Sequence, residues 1–139
     1  MTSELRVDNL KGSTTGGSIN VLGEGTSATT NLQQGLAKAW CQFNQDSTQA
    51  FRDSLNMATI TDNATGDSTL TYTNNMNNTT YAFVQSGSQQ IGTAAGHCSY
   101  QTDDQSTSQS NKFRSVTSDG NQTVFDAESI HAALHGDLA

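Results

Sequence analysis

The chain contains no proline, and only 14% of its 139 residues are charged. Disordered chains of similar polarity are usually proline-rich and densely charged, so the lack of both favours a folded protein. Apolar residues are also scarce, at 32%, and no run approaches the roughly 20 apolar residues of a membrane span. The N-terminus, MTSELRVDNL, lacks the basic-then-apolar order of a signal peptide, so we expect a soluble intracellular protein.

Basic residues and cysteines are scarce as well. Six Lys and Arg stand against 13 Asp and Glu, giving a net charge of −7. Binding to nucleic acid or to an anionic membrane requires clustered basic side chains, so neither is expected as a partner. The two cysteines, Cys41 and Cys98, lack the spacing of a metal site, and in an unsecreted protein they are predicted to be reduced thiols.

Ser, Thr, Asn, Gln and Gly fill the chain instead, and short apolar alternations run between turn-forming clusters. This pattern predicts an all-β fold, an antiparallel β-sandwich-like domain. The clearest hairpin is MATITDNATGDSTLTYT, Met57 to Thr73, which turns within Asp62 to Asp67 and places Leu70 and Tyr72 on one face. Further strands are predicted in YAFVQSG, GTAAGHCSYQ and SIHAALHG, with a polar loop in DDQSTSQSN and a second hairpin in KFRSVTSDGNQTVFDA.

The stretch GLAKAWCQFN fits two structures. Asn31 is placed to cap a helix through this stretch, whereas on a strand Cys41 and Phe43 share one face. The helix would hold Gly35 in its first turn, at a cost of about 1 kcal/mol relative to alanine. Among so many predicted strands we therefore favour a strand over Ala37 to Phe43, with Cys41 and Phe43 inward.

We predict that the first 34 residues form an extended attachment arm and that residues 35–139 form a β-sandwich-like domain. Two short alternating pieces of the arm are separated by KGSTTGGS, and neither is expected to bury a face or to pair its backbone within its own neighbourhood. We therefore expect the arm to become ordered against other chains. The residues assigned to attachment are Leu5, Val7, Ile19 and Val21.

Four segments of the chain together resemble a module of tail-fibre-type virion appendage proteins of marine bacteriophages, including cyanobacterial ones. These segments are AKAWCQFN, FRDSLNMATITDNATGDSTLTYTNNM, YAFV and IHAALHGDLA. The resemblance covers roughly residues 35 to 136, and ITDNATGD is its most specific part. The chain departs from the usual pattern at Cys41, at Leu55 and at Gln45-Asp46-Ser47, where a glycine turn is common.

The resemblance implies a homotrimeric structural protein of the virion, assembled in the cytoplasm of the host bacterium. Its arm would dock to other virion proteins of the tail or capsid. Two alternatives are kept: a capsid decoration (cement) protein of the same fold, and a carbohydrate-binding module that meets host-surface glycans. No catalytic motif is present, so no enzymatic activity and no cofactor are expected.

Histidines and carboxylates are the remaining candidates for chemistry. His131 and His135 would share one face of a helix, but SIHAALHG alternates like a strand, which separates them by about 13 Å and rules out joint chelation of one metal ion. Adjacent Asp103 and Asp104 do not converge as a catalytic pair must. We expect these acids to keep a loop solvated, and we assign no metal site.

The aromatic residues offer one candidate contact. Trp40, predicted to point away from Cys41 and Phe43, is suited either to stack on a sugar ring or to contact another subunit. Tyr72, Tyr81 and Tyr100 are assigned to the core or to a subunit interface, because a chain with so few apolar residues needs its aromatic side chains there.

Overall fold

Ten strands and one helical turn make up the described part of the computed structural model, which covers residues 4–15, 19–22, 28–87, 96–100, 105–117 and 123–139. The strands are β1 Asn20–Leu22, β2 Thr29–Asn31, β3 Ala39–Asn44, β4 Ala50–Leu55, β5 Met57–Ala64, β6 Asp67–Tyr72, β7 Ala82–Gly87, β8 Gly96–Tyr100, β9 Gln109–Thr117 and β10 Ile130–His135. The helix, α1, spans Leu32–Gly35 and lies between β2 and β3.

The chain divides into two compact units, Met1–Leu36 and Ala37–Ala139. In the first unit β1 pairs antiparallel with β2, so that Val21 lies opposite Thr30. The prediction that the Ile19 to Leu22 piece finds no partner in its own neighbourhood is therefore wrong. Its partner is the polar segment TTN, because backbone pairing needs only N–H and C=O groups and not apolar side chains.

The second unit contains two four-stranded antiparallel sheets. The strand order is β4-β3-β10-β7 in the first sheet and β5-β6-β9-β8 in the second. The two sheets pack together, which confirms the predicted all-β, sandwich-like fold class. The chain passes directly from β4 in one sheet to β5 in the other at Asn56, whose φ of 58° is in the left-handed region that asparagine tolerates.

Alternating side chains of the central strands form the core. Phe43 of β3, Leu70 of β6 and Ile130 of β10 are fully buried, and Phe51 packs edge-on against Phe43 with ring centroids 6.4 Å apart. A second cluster joins Ala39, Tyr72, Met76, Tyr81 and Leu134. The inward positions predicted for Cys41 and Phe43 are confirmed, and Leu70 and Tyr72, which were predicted to share one face, are both buried.

The strand interpretation of GLAKAWCQFN is confirmed, and of the helical interpretation only the cap at Asn31 is present. Asn31 does cap a helix, because its side chain accepts a hydrogen bond from the backbone of Gln34, but α1 lasts only four residues and ends at Gly35. The predicted strand is present as Ala39–Asn44, two residues later than expected at its start.

The strands predicted in the C-terminal half are largely present. β7 and β8 lie within YAFVQSG and GTAAGHCSYQ, and β10 buries Ile130 and Leu134 as the alternation predicted. The DDQSTSQSN loop is shorter than predicted, because β9 already begins at Gln109. The turn of the second hairpin, Ser118 to Asn121, lies outside the described residues. Val124 forms a bridge to Val116, so a return segment follows this turn.

The Met57 to Thr73 hairpin is confirmed, with a turn tighter than predicted. Its two turn residues are Thr65 and Gly66, and Gly66 has a φ of +69°. The backbone N–H of Gly66 donates to Asp126 Oδ1 at 2.6 Å, and its carbonyl accepts from the backbone N–H of Ser115 at 2.9 Å. A Cβ at this position would stand 2.8 Å from the carbonyl oxygen of Phe125 and 2.9 Å from that of Ser115.

We expect Gly66→Ala to lower the free energy of unfolding of the second unit by about 3 kcal/mol, because it adds left-handed strain to a clash with backbone atoms that cannot move aside. Chemical denaturation monitored by circular dichroism measures this loss. The matched control is Gly35→Ala, whose Cβ would meet nothing closer than Thr30 Cγ2 at 4.0 Å and should leave that transition unchanged. Equal stability of the two variants would contradict the packing of this turn.

A buried amide joins the two sheets. Gln45, which follows β3 and is 1% exposed, donates from Nε2 to Ser68 Oγ of β6 at 2.9 Å. Its Oε1 accepts from Ser115 Oγ of β9 at 2.6 Å and from the backbone N–H of Ala127 at 3.3 Å. Each polar atom of the amide is therefore partnered away from water, as stability requires.

Gln45→Leu should destabilise the protein by about 2 kcal/mol, because Ser68 and Ser115 lose these partners while remaining buried. Replacing both serines by alanine in the same chain should recover most of the loss, since no buried hydroxyl then depends on the missing amide. Denaturation of the single and triple variants, compared with Ser68→Ala/Ser115→Ala alone, measures the coupling. A triple variant less stable than Gln45→Leu would contradict this account.

Candidate functional site

An apolar row crosses the outer face of the first sheet. Because side chains alternate along a strand, the residues between core positions point away from the second sheet. Cross-strand pairing places Trp40 opposite both Leu55 and Ala133, and Ala133 opposite Val84. Leu55 and Val84 are 48% and 62% exposed, and Trp40 and Ala133 are partly buried. We call Leu55, Trp40, Ala133 and Val84 the apolar row.

A shallow depression of about 200 Å³ lies on this face over β7 and β10. It is lined by Val84, Ser86, His131 and Ala133, with residues 85 and 132 between them. The small side chain of Ala133 stands between the larger Trp40 and Val84 in the apolar row. Trp40 is not among the residues that line the depression.

A polar row runs parallel to the apolar row, two residues along each strand. Its members are paired in the order Asp53, Gln42, His131 and Ser86. Gln42 Nε2 donates to Ser129 Oγ at 3.1 Å, and this hydroxyl lies 3.3 Å from His131 Nε2. The amide and the hydroxyl therefore orient the imidazole at one edge of the depression, where it can exchange hydrogen bonds with a ligand.

The strand predicted to carry the two C-terminal histidines is confirmed. His131 and His135 lie on one strand and on its outer face, with Ala133 between them. Within the described part of the chain, no three His, Cys, Asp or Glu side chains come together as a metal site would require. Asp103 and Asp104 lie outside the described residues.

The aromatic residues separate into core and surface. Tyr72 and Tyr81 are buried, and the Tyr72 hydroxyl donates to the Tyr81 hydroxyl at 3.1 Å, which donates in turn to the carbonyl of Ser106 at 3.2 Å. Burial raises the pKa of Tyr81, and the hydrogen bond from Tyr72 opposes part of this rise. Trp40 alternates with buried neighbours along β3 and therefore points outward. The side chain of Tyr100 is not among the side chains that the structure describes.

The first unit exposes a second apolar surface. Leu5 is 76% exposed, Val7 55% and Val21 49%, whereas Ile19 is partly buried. Leu10, Leu22 and Leu36 are also exposed. Large apolar side chains gathered on one short segment are typical of a surface that another molecule covers.

Sequence patterns indicated Trp40 and the arm but missed the partners of Trp40 on the sheet. Leu55, Val84 and Ala133 come from three different strands, and only the pairing of β10 between β3 and β7 makes them neighbours. The one available signal was local: Val84 and Ala133 each alternate with inward residues, which marks them as outward positions.

Comparisons with protein-family models, with curated proteins and with solved structures give no match for this chain. No helix among the described residues has the length and apolar character needed to cross a membrane.

Cys41 is a free, buried thiol, as predicted. The side chain of Cys98 is not among the side chains that the structure describes. Burial raises the pKa of Cys41 from 9.0 to about 12. Below about pH 9 the thiol is protonated in both the folded and the unfolded chain, so this residue leaves stability unchanged. As the pH rises towards 12, only the unfolded chain ionises, and the folded state loses stability.

We expect this ionisation to cost about 1 kcal/mol of unfolding free energy between roughly pH 9 and pH 10. Cys41→Ala, which keeps Tyr81 and every other titrating group, should lack that part of the loss. Urea denaturation of both proteins across this range measures the difference. Identical pH dependence, or rapid labelling of Cys41 by a thiol reagent in the folded protein, would show that the thiol is not buried.

Proposed function

We propose that this chain is a structural protein of a bacteriophage virion. Its N-terminal arm docks the β-sandwich to the particle, and three copies associate in a fibre-type appendage. The observation that carries the proposal is the exposure of Leu5, Val7 and Val21 in a unit separate from the sandwich.

The arm supports docking because its apolar side chains are not used for folding. In the second unit, the core clusters consist of residues from Ala39 onward. Covering one exposed leucine or valine side chain contributes about 1.5–3 kcal/mol, so a few such contacts are enough to hold a small domain on a larger surface.

The sandwich supports a structural role because its strands are tied together at several independent points. Gln45 joins the two sheets, and near the C-terminus Asn77 N–H donates to the Asp137 carbonyl at 2.8 Å while Ala139 N–H donates to the Asn75 carbonyl at 3.0 Å. The resemblance of residues 35 to 136 to virion appendage modules adds the setting. Trimer formation rests on that resemblance and on the low apolar content, since association lets small domains bury more surface.

Deletion of residues 1–36 should abolish attachment to the particle and leave the sandwich folded, because the core clusters and paired strands described for the second unit consist of residues from Ala39 onward. Incubating particles that lack the protein with the full or the shortened chain, followed by sedimentation and immunodetection, measures attachment. Thermal melting of both chains measures folding. We expect unchanged melting of the sandwich together with loss of particle binding.

A point variant separates a general effect of shortening from loss of apolar contacts. Leu5→Asp/Val7→Asp keeps the full length and should also lose binding, whereas Thr14→Asp/Thr15→Asp adds the same charge at exposed polar positions and should not. Immunogold labelling shows a few copies at the tail for a fibre, and hundreds on the shell for a decoration protein. Retained binding of the shortened chain, or a protein never found on particles, would overturn the proposal.

A further inference from the structure

The first sheet ends in two edge strands, β4 and β7. We propose that β7 of one copy of the chain pairs antiparallel with β4 of a second copy, with Val84 opposite Leu55 of that copy. The contact is head-to-tail, so three copies close into a ring if each is rotated by a third of a turn. This inference rests on the trimer in the proposed function and identifies the strands that form it.

β7 has none of the features that keep an edge strand from pairing with another chain. Natural sheets protect their edges with charged side chains, proline, bulges or very short strands. β7 is six residues long, AFVQSG, and contains no charge and no proline. Its register with β10 is unbroken from Ala82 to Gly87, and β10 is its only partner among the described strands. The free edge of β7 is therefore suited to accept a further strand.

The directions of the edge strands favour β4 as the partner. Every strand of the first sheet is antiparallel to its neighbours, in the order β4-β3-β10-β7, so β4 and β7 run in opposite directions. A second copy that is rotated about an axis parallel to the strands therefore brings its β4 antiparallel to β7. Two β7 strands can also pair antiparallel, but they do so about a twofold axis, which does not build a trimer.

The outward backbone groups of β7 belong to Gln85 and its alternate neighbours. The N–H and C=O of one residue point to the same side of an antiparallel strand, and those of the next residue point to the other side. The carbonyl of Leu134 accepts from the N–H of Lys38 at 2.8 Å, so it points towards β3. Ala133 then directs its backbone groups to Val84 of β7. Gln85, the next residue, directs its N–H and C=O to the free edge.

Ser54 offers the matching backbone groups on β4. The same alternation continues across the sheet, so Cys41 directs its backbone groups to β10, and Ser54, its partner on β4, directs its own to the free edge. A second observation agrees, because the N–H of Ser54 donates to Asp53 Oδ1 at 2.8 Å, a side chain of its own strand. This amide is therefore available to another strand once the carboxylate has a different partner.

One register matches both the backbone groups and the apolar side chains. With Val84 opposite Leu55 of the neighbouring copy, Gln85 lies opposite Ser54, so the outward backbone groups of the two edges meet. The apolar row then continues from Val84 of one copy to Leu55 of the next, and these side chains are 62% and 48% exposed in the single chain. Cross-strand apolar pairs of this kind stabilise sheets.

The same register supplies partners for two polar side chains. Ser86 lies opposite Asp53 of the neighbouring copy, whose carboxylate can accept from the serine hydroxyl when the Ser54 N–H bonds to β7. Gln85 Oε1 is buried and has no hydrogen-bond partner among the described residues. The Ser54 hydroxyl of the neighbouring copy lies opposite Gln85 on the same face of the sheet, and it can donate to this oxygen when the amide turns towards the edge.

Leu55→Cys/Val84→Cys tests the pairing directly. Within one chain the two positions are three strand spacings apart, about 14 Å, which exceeds the roughly 7 Å that a disulfide spans between Cα atoms. Mild oxidation of the full-length protein should therefore link different chains and give a covalent trimer on a non-reducing gel. Leu55→Cys/Ala82→Cys is the register control. Ala82 is exposed and lies two residues along the outer face of β7, so this pair should cross-link at least about tenfold less.

A charge at the edge of β7 should weaken association. Val84→Lys places an ammonium group at the proposed contact, and we expect the trimer to associate at least about tenfold more weakly, measured by sedimentation velocity of the full-length protein. Thr61→Lys is the matched control. It replaces another exposed β-branched residue, on the edge strand β5 of the other sheet, and should leave the trimer intact. Circular dichroism melting of both variants confirms that the fold is kept.

Three outcomes would overturn the edge pairing. A trimer without the cross-link between positions 55 and 84 is built by other surfaces, and the proposed virion role then stands without this inference. A cross-linked dimer of Val84→Cys alone, joined through position 84 of both chains, means that β7 pairs with itself about a twofold axis. A monomeric full-length protein removes the trimer from the proposed function together with the edge pairing, whereas attachment to particles is measured independently.

Discussion

The amide of Gln45 fixes how the two sheets lie on each other. Hydrophobic burial brings sheets together but is not directional, so it leaves their relative position loosely defined. Gln45 adds direction, because it leaves the end of β3 and bonds to Ser68 and Ser115, which belong to the two central strands of the other sheet.

Local patterns were enough to predict much of the fold. The Met57 to Thr73 hairpin follows from turn residues flanked by alternating ones, and the inward positions of β10 follow from period two. The Gln45 contacts were not predictable in this way, because its partners lie 23, 70 and 82 residues away along the chain. A glutamine after a strand carries no local sign of burial.

The candidate surfaces were predictable to different degrees. The outward direction of Trp40 followed from strand alternation, but its neighbours depend on β10 lying between β3 and β7, which only the folded chain defines. The arm was predicted from short alternating pieces that were expected to pair only with other chains, and this expectation failed for Ile19 to Leu22 because β1 pairs with a polar strand of the same unit. The pattern of apolar residues predicts which side chains will be buried, whereas the pairing of strands depends on hydrogen bonds between backbone groups.

The distribution of apolar residues connects fold and function. Only 32% of the residues are apolar, so few are available for the core. Even so, Leu5, Val7 and Leu10 are exposed in the first unit. On the sandwich, Leu55 and Val84 are exposed. These side chains do not contribute to the core, and exposing them lowers solubility without stabilising the fold. Their exposure in both units is therefore a feature of the chain that folding alone does not explain.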